Sequence, residues 1–335
     1  MSSLPLYPSK PEPHLVGIAK LASEAEHVDS GHKIELFSLP VRSILNRCDS
    51  RRNLPFTWTI NPYRGCEFAC KYCYARYTHE FMELRDPNEF EHKIFVKDEA
   101  AWLLRRDLKK VRKGEEIAIG TATDPYQPAE RRHGVTRSIL EELARHGGLE
   151  IGIVTKSNLV LRDIDVLKEV AARNTIGVHV TVTTVNIALA RITEPRAPRP
   201  DLRLDAVRRL NEAGIPAGVI CAPVLPGITD KPRDLEALVK AAAEAKATNI
   251  LANPLFLKPC SRAIFLPFIK ERFPDLVPQY EQMYGERDFG SQTYRKHLSA
   301  LMNKFKKKYG IGATGPRGPI REYIPAKVAE QLALF

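Results

Sequence analysis

Apolar and polar positions along the chain switch between two periods, and the switching lays out its elements. Residues 1–40 are polar and Pro-rich, with no sustained period, and are expected to form an irregular leader. Phe56 to Ile60 is rich in aromatic and β-branched residues and reads as a strand. Ala100, Leu104, Leu108 and Val111 then fall on one helical stripe. Glu116 to Gly120 reads as a strand, and Val135, Ile139 and Leu143 mark a helix ending near Gly147 and Gly148. The alternation continues with strands at 151–155, 178–183, 218–221 and 249–252. Between them lie helical faces carrying Leu161, Ile164, Leu167 and Ala171, then Leu202, Ala206, Leu210 and Ala213, then Leu235, Leu238, Val239 and Ala242.

Six strands alternating with helices argue for parallel βαβ units and an α/β fold. Six units are too few for an eight-fold barrel. They fit a partial (β/α)6 barrel or an open doubly wound sheet. Beyond Lys258 the alternation stops. Two or more helices are expected over 262–308, ending in the basic run Lys304 to Lys308. Residues 309–325 carry Gly310, Gly312, Gly315, Pro316, Gly318, Pro319 and Pro325 and read as loop. The expected layout is a leader over 1–40, a barrel over 41–260, a helical basic extension over 261–310 and a loop-rich tail over 311–335.

Composition adds limits. With 335 residues, 44% hydrophobic and 27% charged, the chain is globular rather than disordered or collagen-like. The uncharged run Ala213 to Thr229 is broken by Pro216, Pro223 and Pro226, so no membrane span is expected. The N-terminus lacks the basic start and apolar core of a secretory signal, and a cytoplasmic location is the default. The charge is +11, from 51 Lys+Arg against 40 Asp+Glu. An anionic partner such as nucleic acid, or simply a basic surface, accounts for that excess equally well.

Of the six cysteines, Cys66, Cys70 and Cys73 stand together just after the first βα strand, spaced C-x₃-C-x₂-C. Such a cluster in a chain without an export signal suggests a metal site rather than disulfides. Zinc would want a fourth ligand, with His79 or Cys48 as candidates, although neither lies in a close second pair. A [4Fe–4S] cube held by three thiolates would keep one iron open to a small molecule. In barrels and doubly wound sheets alike, ligands bind at the carboxyl ends of the strands. Asn61, Thr121, Thr123, Asp124, Thr155, Lys156, Thr183 and Asn253 fall there.

The spacing with Tyr72 before the last cysteine resembles the signature of radical S-adenosylmethionine (radical SAM) enzymes. Asn61 to Cys66 and Cys73 to Arg76 resemble more closely the branch related to spore photoproduct lyase, a DNA-repair enzyme. The blocks Thr123 to Glu130, Thr155 to Ser157, Leu161 to Asp165 and Pro223 to Asp230 are similar to that branch too, and the likeness spans roughly residues 35–310. The resemblance implies a [4Fe–4S] cluster on Cys66, Cys70 and Cys73. It also implies S-adenosylmethionine on the open iron and an electron donor such as flavodoxin or ferredoxin. One electron would cleave the sulfonium and yield a 5′-deoxyadenosyl radical that abstracts hydrogen from substrate.

By the same resemblance the loop holding Thr121, Thr123 and Asp124 meets the amino end of S-adenosylmethionine. Lys156 binds its carboxylate, and Thr181 or Thr183 bonds the ribose. Pro223 to Gly227 packs on adenine, and Tyr72 and Tyr74 line the cofactor. One departure stands out. Spore photoproduct lyase returns hydrogen to its product radical from a cysteine where this chain has Thr121. An alcohol O–H bond is too strong for that step. Cys221 and Cys260, near the ends of later strands, are candidate substitutes, or else small buried apolar groups. Three readings follow: radical chemistry on nucleic acid, the same chemistry on a protein or metabolite, or a non-catalytic cluster- or zinc-bearing nucleic-acid-binding protein. Basic runs support the first, with seven Lys/Arg against two acids over 41–76 and six against one over 105–113.

Overall fold

A computed structural model describes residues 15–31, 33–48 and 54–312 of the chain. Its strands, in chain order, are β1 (Glu26–Gly31), β2 (Ile34–Ser38), β3 (Leu45–Arg47), β4 (Trp58–Ile60), β5 (Tyr63–Arg64), β6 (Lys93–Val96), β7 (Glu116–Ile119), β8 (Glu150–Thr155), β9 (Thr175–Thr181), β10 (Ala217–Val224) and β11 (Ile250–Pro254). The main sheet has the order β3-β4-β7-β8-β9-β10-β11. All its neighbours from β4 to β11 pair in parallel, and β3 runs antiparallel along β4. The six parallel strands are the six read from the pattern. Their order never reverses, so the sheet lacks the switch point of a doubly wound fold and winds like part of a barrel.

The inner strands, β4 and β7 to β10, are apolar at nearly every position because both faces are covered, whereas β3 and β11 at the edges are partly exposed. Ile60, Ile119, Ile153, Val178 and Val219 are all fully buried. The long helices are α1 (Ala100–Asp107), α2 (Val135–Ala144), α3 (Ile164–Arg173), α4 (Pro200–Glu212), α5 (Pro232–Glu244), α6 (Pro259–Arg272), α7 (Val277–Tyr284) and α8 (Gln292–Tyr309). Helices α1 to α5 alternate with the parallel strands, and α1 packs on α2 and α2 on α3. Proline occupies the first helical position of α4, α5 and α6, where its missing N–H costs nothing. Helices α6, α7 and α8 form the expected C-terminal extension. None of the described helices is long and apolar enough to cross a membrane.

Two expectations change. Over the described part of 1–40 the chain is ordered, with a helix at Gly17–Ser23 and a β1–β2 hairpin. Strand β2 joins β6 in parallel, burying Ile34 and Leu36, and the small sheet runs β1-β2-β6-β5. That pairing partner lies about sixty residues downstream, so local pattern alone did not reveal it. On α4 the inward row is Arg203, Ala206, Val207 and Leu210, while Leu202 is 41% exposed. Residues 1–14 and 313–335, including most of the expected tail, lie outside the described residues.

A candidate cofactor site at the strand ends

The cysteine loop leaves β5 through Gly65, whose φ is +81°. A Cβ there would sit 2.7 Å from the Lys93 carbonyl and 2.9 Å from the Phe90 carbonyl, so only glycine fits. The close approach lets the Cys66 N–H donate to Phe90 O at 2.9 Å. Thr123 Oγ1 donates to Gly65 O at 2.5 Å, and Gln127 Nε2 donates to the same oxygen at 3.3 Å. Gln127 Oε1 accepts the Glu67 N–H at 3.0 Å. Thr123, expected at the cofactor, is thus engaged beneath the cysteine loop and fixes its backbone.

The rest of the loop is held as firmly. Arg76 is buried, donates to Cys70 O at 3.2 Å and pairs with Glu91 at 2.7 Å. Lys71 N–H donates to Thr193 O, and Arg196 N–H donates to Phe68 O. Ser261 Oγ, at the start of α6, donates to Cys73 O at 2.8 Å, so the extension anchors the loop from the far side. Burial pushes the Cys66 thiol well up, with the Asp124 carboxylate and then the Cys70 and Cys73 thiols adding to it. Burial also pushes Cys70 up to about 12, against the pull of the Lys156 ammonium. The three cysteines thus stand on one braced loop, Cys70 buried and Cys66 and Cys73 half-buried.

Behind them, a polar network joins the strand ends. Asp124, just past β7, is buried. Its Oδ1 accepts from Thr155 Oγ1 at 2.7 Å and Tyr126 N–H at 2.9 Å, and its Oδ2 accepts the Lys156 N–H at 2.7 Å. Burial raises its pKa against these bonds. The Lys156 ammonium lies 5.7 Å from the Tyr72 ring centre. Burial disfavours its charge, but the Cys70 thiol and the Glu194 carboxylate outweigh that and raise its pKa.

Glu194 accepts from the Tyr72 hydroxyl, and from Thr183 Oγ1 at 3.1 Å. Arg203 Nη2 stands 2.5 Å from its other oxygen. Burial opposes ionisation of Glu194, yet Arg203 and then Lys156 hold its pKa down. Sequence reasoning missed Glu194 and Arg203. The signal was an arginine in an otherwise apolar helical row.

The structure brings Cys66, Cys70, Cys73, Tyr72, Lys156, Asp124 and Thr183 into one connected site. Tyr74 joins at the edge, donating its hydroxyl to Thr121 O. Asn61 braces the same turn, with Oδ1 accepting the Ala122 N–H at 2.8 Å and Nδ2 donating to Thr121 Oγ1 at 3.4 Å. Asn253 is exposed on β11 and joins none of this. Cys221 is fully buried in the sheet core, its Sγ 3.8 Å from Thr183 O, and Cys260 is half-buried at the start of α6. The basic runs are partly spent on ion pairs: Arg105 with Glu142 at 2.9 Å, Lys110 with Asp107 at 2.8 Å and Lys308 with Glu236 at 2.5 Å.

The radical SAM superfamily profile matches residues 60–240, more than half of the chain. The chain belongs to the radical SAM superfamily. It is a radical SAM enzyme of unassigned reaction, in a family whose cofactors are S-adenosylmethionine and a [4Fe–4S] cluster. An uncharacterized protein of Mycobacterium tuberculosis is 34% identical over 296 residues, covering 88% of this chain and 86% of its own. An uncharacterized protein of Methanocaldococcus jannaschii is 28% identical and covers 75% of this chain and 86% of its own. Among solved structures, a double mutant of spore photoproduct lyase with bound S-adenosylmethionine and dinucleoside spore photoproduct superposes with a TM-score of 0.63. The match covers 90% of this chain and 85% of that one, at 15% identity, a likeness of fold.

The donor set fits the family's cluster. Three cysteines stand on one loop whose backbone the protein's own bonds fix, and the Cys70 and Cys73 thiols both add to the rise at Cys66. Among the described residues no three His, Cys, Asp or Glu side chains gather as a single metal ion would need. A cube imposes no such convergence, because each thiolate binds its own iron.

Proposed function

We propose that Cys66, Cys70 and Cys73 hold a [4Fe–4S] cluster and that this site binds S-adenosylmethionine over it. When bound, the pair supplies one-electron cleavage to a 5′-deoxyadenosyl radical and hydrogen abstraction from a substrate. The observation that carries the reading is the single braced loop that holds the three cysteines, with the Lys156 ammonium 5.7 Å from the ring centre of Tyr72, between the last two of them in sequence. Lys156 binds the carboxylate of S-adenosylmethionine as a point cation. Tyr72 and Thr183, both tied to Glu194, line the cofactor with Tyr74. Asp124 orients the Lys156 backbone, and Thr123 holds the loop under Cys66. The buried surroundings of the site exclude water from the chemistry.

The proposed substrate is nucleic acid. The net charge of +11 supports it, as does the dinucleoside photoproduct bound by the similar lyase. We take residues 41–260 as the catalytic unit and 261–310 as its extension, in the cytoplasm, with flavodoxin or ferredoxin as electron donor. Anaerobic reconstitution tests the core of this reading. Wild type should hold about four irons per chain and, once reduced, release 5′-deoxyadenosine and methionine. Alanine at Cys66, Cys70 or Cys73 should abolish both, and alanine at Cys48, Cys221 or Cys260 should not. A full, reducible cluster with no cleavage under any reductant would defeat the catalytic reading.

A further inference from the structure

A row of aromatic rings, exposed at Tyr74, Phe81 and Phe289 and half-buried at Tyr77 and Phe256, starts at the cofactor site and runs outward. Tyr74 follows Cys73 directly, and its hydroxyl bonds Thr121 O at the end of β7. Its ring lies near-parallel to Tyr77, at 6.5 Å between centres and 24° between planes, and 6.0 Å from Phe256. Phe256 stacks on Phe289 at 4.4 Å and 21°. Phe81 stands edge-on to Tyr77 at 5.7 Å. Three separate segments supply these rings: the turn after the cysteines, the loop after β11, and the link between α7 and α8. Phe256 and Phe289 are joined by an antiparallel bridge.

The rings are not core. Phe81 is 58% exposed, Phe289 53% and Tyr74 39%. A contiguous exposed aromatic surface marks an interaction site rather than ordinary exterior. Lys258 stands over it, its ammonium 4.0 Å from the Tyr77 ring centre and 5.9 Å from Phe256. No carboxylate of the described residues pairs with Lys258. Asp288, beside Phe289 in sequence, is held by Arg262 at 2.7 Å. The surface thus offers aromatic rings in near-parallel pairs and, over Tyr77, an ammonium with no carboxylate partner among the described residues.

We propose that Tyr74, Tyr77, Phe256 and Phe289, with Lys258, form a stacking ledge for unpaired bases of a single-stranded or locally opened nucleic acid. The inference rests on the proposed nucleic-acid substrate and says which form of it binds. Bases stack on aromatic faces without regard to sequence, and the lysine standing over Tyr77 suits the linking phosphate. In a closed duplex the base faces are hidden, so a base reaches the ledge only when unpaired. The inner end of the row, at Tyr74, would then hand a base to the site beside Cys73.

The test is fluorescence anisotropy at low salt, with a labelled oligo-dT strand, an abasic strand of the same length and a duplex. Wild type should bind oligo-dT more tightly than either of the others. Phe289→Ala and Tyr77→Ala should each weaken oligo-dT binding by about 5- to 100-fold and leave abasic binding unchanged. Phe289 is half-exposed, so its removal should leave iron content and far-ultraviolet circular dichroism as in wild type. Equal affinity for oligo-dT and abasic strands, or undiminished binding by both variants, overturns the ledge and leaves the nucleic-acid reading standing. No binding to any strand, even at low salt, overturns the nucleic-acid reading and the ledge with it.

Discussion

The Asp124 carboxylate accepts the Lys156 backbone N–H at 2.7 Å, so one buried acid ties the ends of β7 and β8 together. The same carboxylate takes the Thr155 hydroxyl and the Tyr126 N–H. Both oxygens of the group, and three of its roughly four acceptor sites, are taken by the protein itself, which makes Asp124 a brace for Lys156. Asp124→Asn replaces one accepting oxygen by an NH₂ that faces another donor. A lost hydrogen bond to a charged buried group costs about 2 kcal/mol. The urea midpoint should fall accordingly, with iron content intact, because no thiol bonds to Asp124. An unchanged midpoint would show that the brace carries no load.

Lys156 should behave differently. Its charge is sustained by Cys70 and Glu194 against burial, and Glu194 keeps Arg203 when the lysine is removed. Lys156→Met should therefore fold and hold iron. The expected loss is one charge-assisted contact to S-adenosylmethionine, raising its KM about 10- to 100-fold. Steady-state release of 5′-deoxyadenosine against cofactor concentration measures this. A fall in iron content instead would make Lys156 part of the cluster's support.

Lys97 gives the clearest pH dependence. It is buried, and its ammonium donates to Asn61 O at 2.6 Å. Burial, then the Arg64 charge, holds its pKa down to about 7, whereas an unfolded chain titrates it near about 10.4. Between those values the unfolded chain keeps a proton that the folded chain has lost. Stability from this group therefore rises with pH across that window, and the cost of burying the charge is full below it. Lys97→Met has no such dependence. Wild-type stability relative to the variant should climb from about pH 7 to pH 9, by at most about 1.4 kcal/mol per pH unit. Urea unfolding of both proteins across that range measures it. A flat difference would mean that Lys97 keeps its proton.

These three residues also show what the sequence made legible. Runs such as 151–155 and rows such as Leu235, Leu238, Val239 and Ala242 are local patterns, and the structure buries that row as read. The cysteine spacing and the strand-end positions of Asp124, Lys156 and Thr183 are local too. What escaped were partnerships made across the fold. On α4 an apolarity rule points Leu202 inward, but the buried position is Arg203, because Glu194 lies opposite it. Lys97, just past β6, is buried with its ammonium on Asn61 O, a partner thirty-six residues away that local pattern does not reveal. Thr123 and Asp124 were found as site residues, yet their tasks depend on Gly65 and Thr155, which only the assembled sheet brings near.

Thr121 bears on the reaction itself. Its carbonyl accepts the hydroxyl of Tyr74, the residue after Cys73, and its own hydroxyl is bonded by Asn61 at 3.4 Å. At this place the photoproduct-lyase pattern has a cysteine that returns hydrogen to a carbon radical. A thiol S–H bond is weak enough to do so, and an alcohol O–H bond is not. Cys221 is sealed in the core with its thiol pushed up to about 12 by burial, and Cys260 lies half-buried at the start of α6. Wild type should therefore cleave S-adenosylmethionine yet fail to repair ultraviolet-damaged thymine dinucleotides efficiently. Thr121→Cys should gain hydrogen return, seen as restored dinucleotide by chromatography. In deuterated water the thiol hydrogen exchanges, so the restored product should carry deuterium. Efficient repair by wild type that survives both Cys221→Ala and Cys260→Ala would sink this argument, because the donor would then be a group other than these thiols.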